Sequence, residues 1–207
     1  MSLFGKQWRL WIRITNHEIL VKTGTVPNLY SIIKEVEAVI KMVVWPLKND
    51  NFAINPTRKG NGVKPIKNEC MEHLKLNGWH LEKRLTIKAD MKPGPLDAVK
   101  MIGGKAFALE WETENISSSH RAINKMVLGM LERVIIGGIL ILPSRAMYNY
   151  LTDRVGNFQE LKPYFSAWKS FNIKDGFLSV IEIEHDTIDA SSPLIPKGTD
   201  GWAEVKK

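Results

Sequence analysis

Two adjacent glycines limit what this chain can fold into more than any other feature. Residues 96–112, L-D-A-V-K-M-I-G-G-K-A-F-A-L-E-W-E, read as two strands joined at Gly103-Gly104. A two-residue hairpin turn needs φ > 0, which glycine adopts without strain. If that turn sets the register, Ile102 faces Lys105 and Lys100 faces Phe107. Counting back places Asp97 opposite Glu110. Directly opposed residues share a face, with Cβ atoms about 4.5–5.5 Å apart. Glu112 lies two residues on and joins that face, while Phe107, Leu109 and Trp111 point the other way into a core.

Three acids on one sheet face repel each other. At about 5 Å and an effective dielectric near 20, one such pair costs roughly 3 kcal/mol. A fold does not need that arrangement for stability. A bound divalent cation reverses the sign of the interaction, and oxygen-only ligands suit Mg²⁺. The competing reading is a solvated acidic surface screened by Lys100 and Lys105.

Charge sharpens the choice. The 207 residues carry a formal net charge of +7. A basic balance fits a polyanion partner, with Lys and Arg supplying salt-sensitive phosphate contacts. A negative pocket inside a positive protein is what metal-dependent cutting of a phosphodiester needs. The lone cysteine, Cys70, forms no intramolecular disulfide and builds no thiolate metal site. It reads as a buried structural thiol on a helix, and the chain suits a reducing cytoplasm. The most apolar run, 134–142, is too short to span a bilayer. The N-terminus alternates Trp8, Leu10, Ile12 and Ile14 with polar residues, which predicts a strand and no signal peptide.

Along the chain, 28–44 carries Ile32, Ile33, Val36, Val39, Ile40 and Val43 at helical spacing, and Pro46 stops it. Residues 49–64 read as a surface loop. Pro65 fits the first turn of a helix reaching Leu76, ended by Asn77-Gly78. Trp79, Leu81, Leu85 and Ile87 predict a strand with Glu82 on its polar face. Ser117 or Ser118 can cap the next helix, which has an apolar stripe of Ile123, Met126, Val127, Met130, Leu131 and Val134. Residues 138–142 predict a buried strand, 145–151 a short helix and 177–184 another strand. The order predicts an α/β fold: a central mixed β-sheet flanked by helices on both faces, in a single domain over 1–207.

Asp97 followed thirteen residues on by E-W-E, and then by a serine-rich helix start, is the layout of the PD-(D/E)XK nuclease core. The likeness extends further. E-W-E-T-E-N-I-S-S-S-H-R-A-I-N-K-M at 110–126 strongly resembles the BamHI family of restriction endonucleases. So do N-G-V-K-P-I-K-N-E-C at 61–70, L-T-D-R-V-G-N-F-Q-E-L-K-P-Y-F at 151–165 and P-L-I-P-K-G-T-D-G at 193–201. Four long matches in series are very specific. The first 27 residues match poorly.

The resemblance implies a homodimeric type II restriction endonuclease for double-stranded DNA, cutting GGATCC after the first G, with a restriction-endonuclease-like core. It places Asp97, Glu110 and Glu112 on the family's catalytic acids and Glu82 on a fourth. It further implies two Mg²⁺ ions, with Mn²⁺ as a substitute. Asp97, Glu110 and the Trp111 carbonyl would hold one ion, Asp97 and Glu82 the other. Glu112 would accept a proton from the attacking water or orient it. Asp153 and Arg154 match the outer-base readers, where Asp can accept from cytosine and Arg can bond guanine bidentately. Asn115, Ser117 and Arg121 match the inner-base readers. Without the likeness, an ion pair would explain Asp153-Arg154, and helix capping would explain Asn115 and Ser117. Gly198, Thr199 and Asp200 match an arm that approaches DNA. The family pairs the 123–134 helix with its mate in the dimer, so this domain is expected to carry that interface; the competing reading is packing within the subunit.

One departure stands out. The family motif has Gly after E-x-E-T, and here Glu114 stands there. It adds negative charge beside the acids, and strain if that position needs φ > 0. A sequence-specific DNA-binding protein with impaired cutting is therefore one alternative. A repair or junction nuclease on the same core is a second. A hydrolase of small phosphorylated substrates is a third, without a Gly-rich phosphate loop. No nucleotide cofactor and no membrane partner are expected.

Overall fold

The computed structural model describes residues 11–47, 49–87, 94–152 and 155–198. Trp8, Leu10, Asp153, Arg154, Thr199 and Asp200 lie outside the described residues. In chain order the elements are β1 (Arg13–Thr23), α1 (Leu29–Met42), β2 (Ala53–Ile54), α2 (Lys64–Leu76), β3 (His80–Lys83), β4 (Leu96–Ile102), β5 (Lys105–Trp111), α3 (Ile116–Leu131), β6 (Ile135–Pro143), α4 (Arg145–Tyr148), α5 (Phe158–Leu161), a 3₁₀ turn (Lys162–Tyr164), α6 (Phe165–Lys169), β7 (Gly176–Glu184) and β8 (Thr187–Ile188).

Six strands form one sheet in the order β1-β7-β6-β5-β4-β3. β5, β6 and β7 run parallel, and β1, β4 and β3 attach antiparallel, so the sheet is mixed. All nine residues of β6 are buried, as a strand flanked on both edges and both faces requires. Helices cover both faces. On one side α1 and α2 bury Ile32, Val36, Ile40, Ile66, Cys70 and Leu74 against Phe107, Leu109 and Trp111. On the other, α3, α5 and α6 bury Ile123, Met126, Met130, Phe158 and Trp168 against Ala106, Ala108 and Leu140. The predicted α/β architecture with a twice-covered mixed sheet is the one observed.

The hairpin takes the predicted register. Lys100 pairs with Phe107 and Ile102 with Lys105, with Gly103 at φ 54° and Gly104 at φ 80°. Burial in α2 pushes the Cys70 thiol pKa up, as befits an inert structural thiol.

Four local expectations are corrected. Asn115, not Ser117 or Ser118, caps α3, because its side-chain oxygen accepts from both of their backbone N–H groups, at 3.0 and 3.3 Å. The apolar stripe of α3 packs inside the subunit: Ile123, Met126, Val127 and Met130 are buried there, and Leu131 is left exposed. The stripe is therefore occupied by the protein's own core and does not supply a free interface. The strand predicted from Trp79 shrinks to His80–Lys83, with Glu82 inside it at φ 48°. The loop at 49–64 contains β2, which pairs with β8. Two residues are too few to show alternation, which hid that strand.

Close packing explains two glycines in β6. A Cβ on Gly137 would lie 2.3 Å from Phe107 Cε2, and one on Gly138 would lie 2.4 Å from Met126 Sδ. Phe107 is wedged between Trp79 and Phe177, with ring centroids 6.2 Å away on either side. Gly137→Ala should therefore lose about 1–3 kcal/mol in urea unfolding. Gly138→Ala should lose less, because the flexible Met126 thioether can move aside. Equal losses would contradict this packing.

Candidate active site

The open end of β4 and β5 gathers the predicted acids. Asp97 precedes Ala98, which pairs with Leu109, so it stands opposite Glu110. The Trp111 N–H donates to Asp97 Oδ2 at 2.8 Å, and the Asp97 N–H donates to Glu110 Oε2 at 3.3 Å. Glu112 lies one residue beyond β5, where its N–H still donates to the Ile141 carbonyl at 3.0 Å. The ladder thus fixes the backbone at all three acids. Glu110 and Glu112 are buried, at 8% and 5% exposure. A solvated acidic surface is therefore not what forms here.

Two lysines balance the pair. Lys67 of α2 reaches Asp97 Oδ1 at 2.5 Å, and Lys125 of α3 reaches Glu110 Oε1 at 2.5 Å. Lys125 also donates to the Pro95 carbonyl at 2.8 Å. Its approach to Glu110 has the distance of an ion pair without hydrogen-bond alignment, so Glu110 Oε1 is buried with no hydrogen bond. Sequence reasoning missed both lysines. Each lies inside a family-like segment, at 61–70 and 110–126, and that was the available signal.

Burial raises the Glu110 pKa to about 7, the Asp97 charge adds to the rise, and Lys125 opposes it. Burial also raises the pKa of Glu112. Hydrogen bonds from the Ser119 hydroxyl and the Glu114 N–H, the latter at 2.5 Å to Oε1, counter part of that rise.

The acids line a cleft of about 1110 Å³ whose rim includes Ser117 and Arg121 at the start of α3. Asn115, Ser117 and Arg121 are exposed there. Glu82 is exposed on edge strand β3, and the cleft lining does not include it. Gly198 lies against α2: a Cβ there would be 2.9 Å from Lys64 Cδ. Asp153, Arg154 and Asp200 cannot be placed, being outside the described residues.

Glu114 does not take a left-handed backbone. The described non-glycine residues with positive φ are Asn28, Lys59, Glu82 and Arg133, and Glu114 is not one of them. Its carboxylate accepts from Ser118 Oγ at 2.6 Å and lies 3.4 Å from Arg121 Nη2. Both partners are largely solvated, so this ion pair is weak.

Among the described residues, no three His, Cys, Asp or Glu side chains are gathered tightly enough to enclose a metal ion. The residues present nonetheless fit a hard cation. Their donors are oxygen only, Glu110 Oε1 is a buried acceptor without a hydrogen bond, and an ammonium already sits at 2.5 Å from each of two carboxylates.

The sequence profile of the family described as "Restriction endonuclease BamHI" matches residues 12–202. The chain is 68% identical over 192 residues to the type II restriction enzyme OkrAI of Oceanobacter kriegii, covering 93% of this chain and 99% of that one. It is 38% identical over 200 residues to the type II restriction enzyme BamHI of Bacillus amyloliquefaciens, covering 92% and 90%. Among solved structures, restriction endonuclease BglII complexed with a DNA 16-mer superimposes with a TM-score of 0.56 at 14% identity, over 81% of this chain and 82% of that one. At that identity the likeness speaks for the fold alone.

The raised Glu110 pKa has a consequence for stability. The unfolded chain releases this proton near pH 4.5 and the folded protein near pH 7, so the folded state binds more protons in between. Its contribution is full below the lower value and is lost as pH rises through the upper one. In cation-free urea unfolding, wild type should decline more steeply over that window than Glu110→Gln, by up to about 3 kcal/mol. Parallel curves would contradict the burial argument.

Proposed function

Because the chain belongs to the BamHI family of restriction endonucleases and is a type II site-specific deoxyribonuclease, we propose that it hydrolyses double-stranded DNA at GGATCC after the first G, with Mg²⁺. The observation that carries this reading is the opposed pair of half-buried Asp97 and buried Glu110, lining a cleft that Arg121 and Ser117 also line.

In this reading Asp97, Glu110 and the Trp111 carbonyl would hold one Mg²⁺, and Asp97 with Glu82 would hold a second; Mn²⁺ would substitute. Bound divalent cations would polarise the phosphodiester and favour ionisation of the attacking water. Glu112 orients that water or accepts its proton. Lys67 and Lys125 neutralise the acids while no cation is bound. Glu82 rests on family resemblance; its left-handed backbone at φ 48° turns the chain in the middle of β3. A reading with impaired cutting through Glu114 gains no support from backbone strain, since that residue does not adopt a positive φ.

Asp153 and Arg154 are proposed to read the outer G·C pair, and Asn115, Ser117 and Arg121 the inner bases. Asn115 uses its side-chain oxygen as a cap, which leaves its amide N–H groups for a base. Gly198 and Asp200 belong to an arm that approaches the DNA. Twofold DNA calls for a homodimer, which reads both half-sites with one residue set. None of the helices among the described residues is long and apolar enough to cross a membrane.

A plasmid with one GGATCC site, incubated with Mg²⁺, should become linear with ends mapping after the first G. A gel shift without cutting, or cuts at other positions, would overturn the proposal. Asp97→Asn should abolish cutting and keep DNA affinity; retained turnover would refute its role. Arg154→Ala should weaken binding by about 1–3 kcal/mol and relax discrimination at one base pair. Uniform weakening on all sequences would make Arg154 a phosphate contact.

A further inference from the structure

Glu112 is held from two sides, and one of its partners has no assigned role. We propose that Ser119 is a positioning residue that fixes the Glu112 carboxylate for its work on the attacking water, with Gly156 holding Ser119 in place. The proposal rests on the reading of Glu112 given above.

Ser119 lies on α3 and is completely buried. Its hydroxyl donates to Glu112 Oε2, and the Glu114 N–H donates to Oε1 at 2.5 Å. Each oxygen of the carboxylate therefore has one fixed donor, and the side chain cannot rotate without breaking both bonds. A carboxylate oxygen has two acceptor directions, so each keeps one for the cleft. A glutamate has three side-chain torsions, and these two bonds add a fixed orientation of the carboxylate plane to the restriction that burial imposes. Reactions of oriented water are sensitive to displacements of about 1 Å.

Gly156 packs behind the hydroxyl. A Cβ there would be 2.8 Å from Ser119 Oγ and 3.2 Å from Ile116 Cα. The Gly156 N–H also donates to the Glu114 carbonyl at 2.7 Å. Gly156 follows the 153–154 segment proposed to read the outer base pair. Ser119 stands between the α3 residues proposed to read the inner bases. One junction therefore joins Gly156, the start of α3 and the Glu112 carboxylate.

The test compares single-turnover cleavage by wild type, Ser119→Ala, Gly156→Ala and the double variant, on the DNA that wild type cuts, with duplex affinity measured in Ca²⁺. Ser119→Ala should slow cleavage about ten- to a hundredfold, the range for residues that orient a ligating or catalytic group, with DNA affinity unchanged. Gly156→Ala should slow it in the same direction, and the double variant should be no slower than the slower single, because both act through one contact. Wild-type cleavage by Ser119→Ala would overturn the proposal. So would a parallel fall in cleavage and DNA affinity, which marks a purely structural role in α3. Should Ser119→Ala not fold, Ser119→Cys, with its weaker donor, takes its place under the same criteria. Glu112→Gln in the same assay separates the two claims. If it cuts at the wild-type rate, the reading of Glu112 fails, whereas a slow Glu112→Gln beside a fast Ser119→Ala removes only the inference about Ser119.

Discussion

Asp97 and Glu110 face each other at the open end of an antiparallel strand pair, and neither can be removed to water. A buried and a half-buried like charge at this spacing are unfavourable by themselves, so the surrounding structure must supply positive charge. It does so from both layers. Lys67 comes from α2, which packs on one face of the sheet, and Lys125 from α3, which packs on the other. The acid pair thus ties both helical layers to the sheet's end, and the protein remains neutralised there without a cation.

The rest of the architecture serves that position. The buried β6 strand, with its two glycines under Phe107 and Met126, lets β5 and α3 pack tightly against the parallel centre of the sheet. The connection from β5 into α3 is short, and the Asn115 cap fixes its exit. The acids on β5 and the exposed Asn115, Ser117 and Arg121 are therefore held by one continuous stretch of chain. Under the proposed roles, this shortens the physical path between reading bases and cutting the backbone.

Much of this was legible in the sequence, and the reasons are local. Gly103-Gly104 fixed the hairpin register, and the register brought Asp97 and Glu110 together, because strand periodicity leaves no freedom once a two-residue turn is set. The helices at 29–42 and 116–131 followed from apolar spacing, and the one at 64–76 from Pro65 at its start and Asn77-Gly78 at its end. What stayed hidden depends on contacts distant in sequence. Lys67 and Lys125 look like ordinary surface cations until the sheet places carboxylates beside them. The buried role of Ser119 is invisible among three consecutive serines. The α3 stripe could serve a core or an interface equally well, since a helical pattern records that a face is covered and not by what. The apolar alternation ran on to Ile87, whereas pairing with β4 stops at Lys83.

At the centre stands the claim that this acid pair, balanced by lysines at rest, is a site for divalent cations beside DNA. Calorimetric titration of Ca²⁺ into the protein–duplex complex tests it most directly. Wild type should bind the cation, and Asp97→Asn should lose that binding while holding the same DNA. Equal cation binding by both proteins would contradict the account.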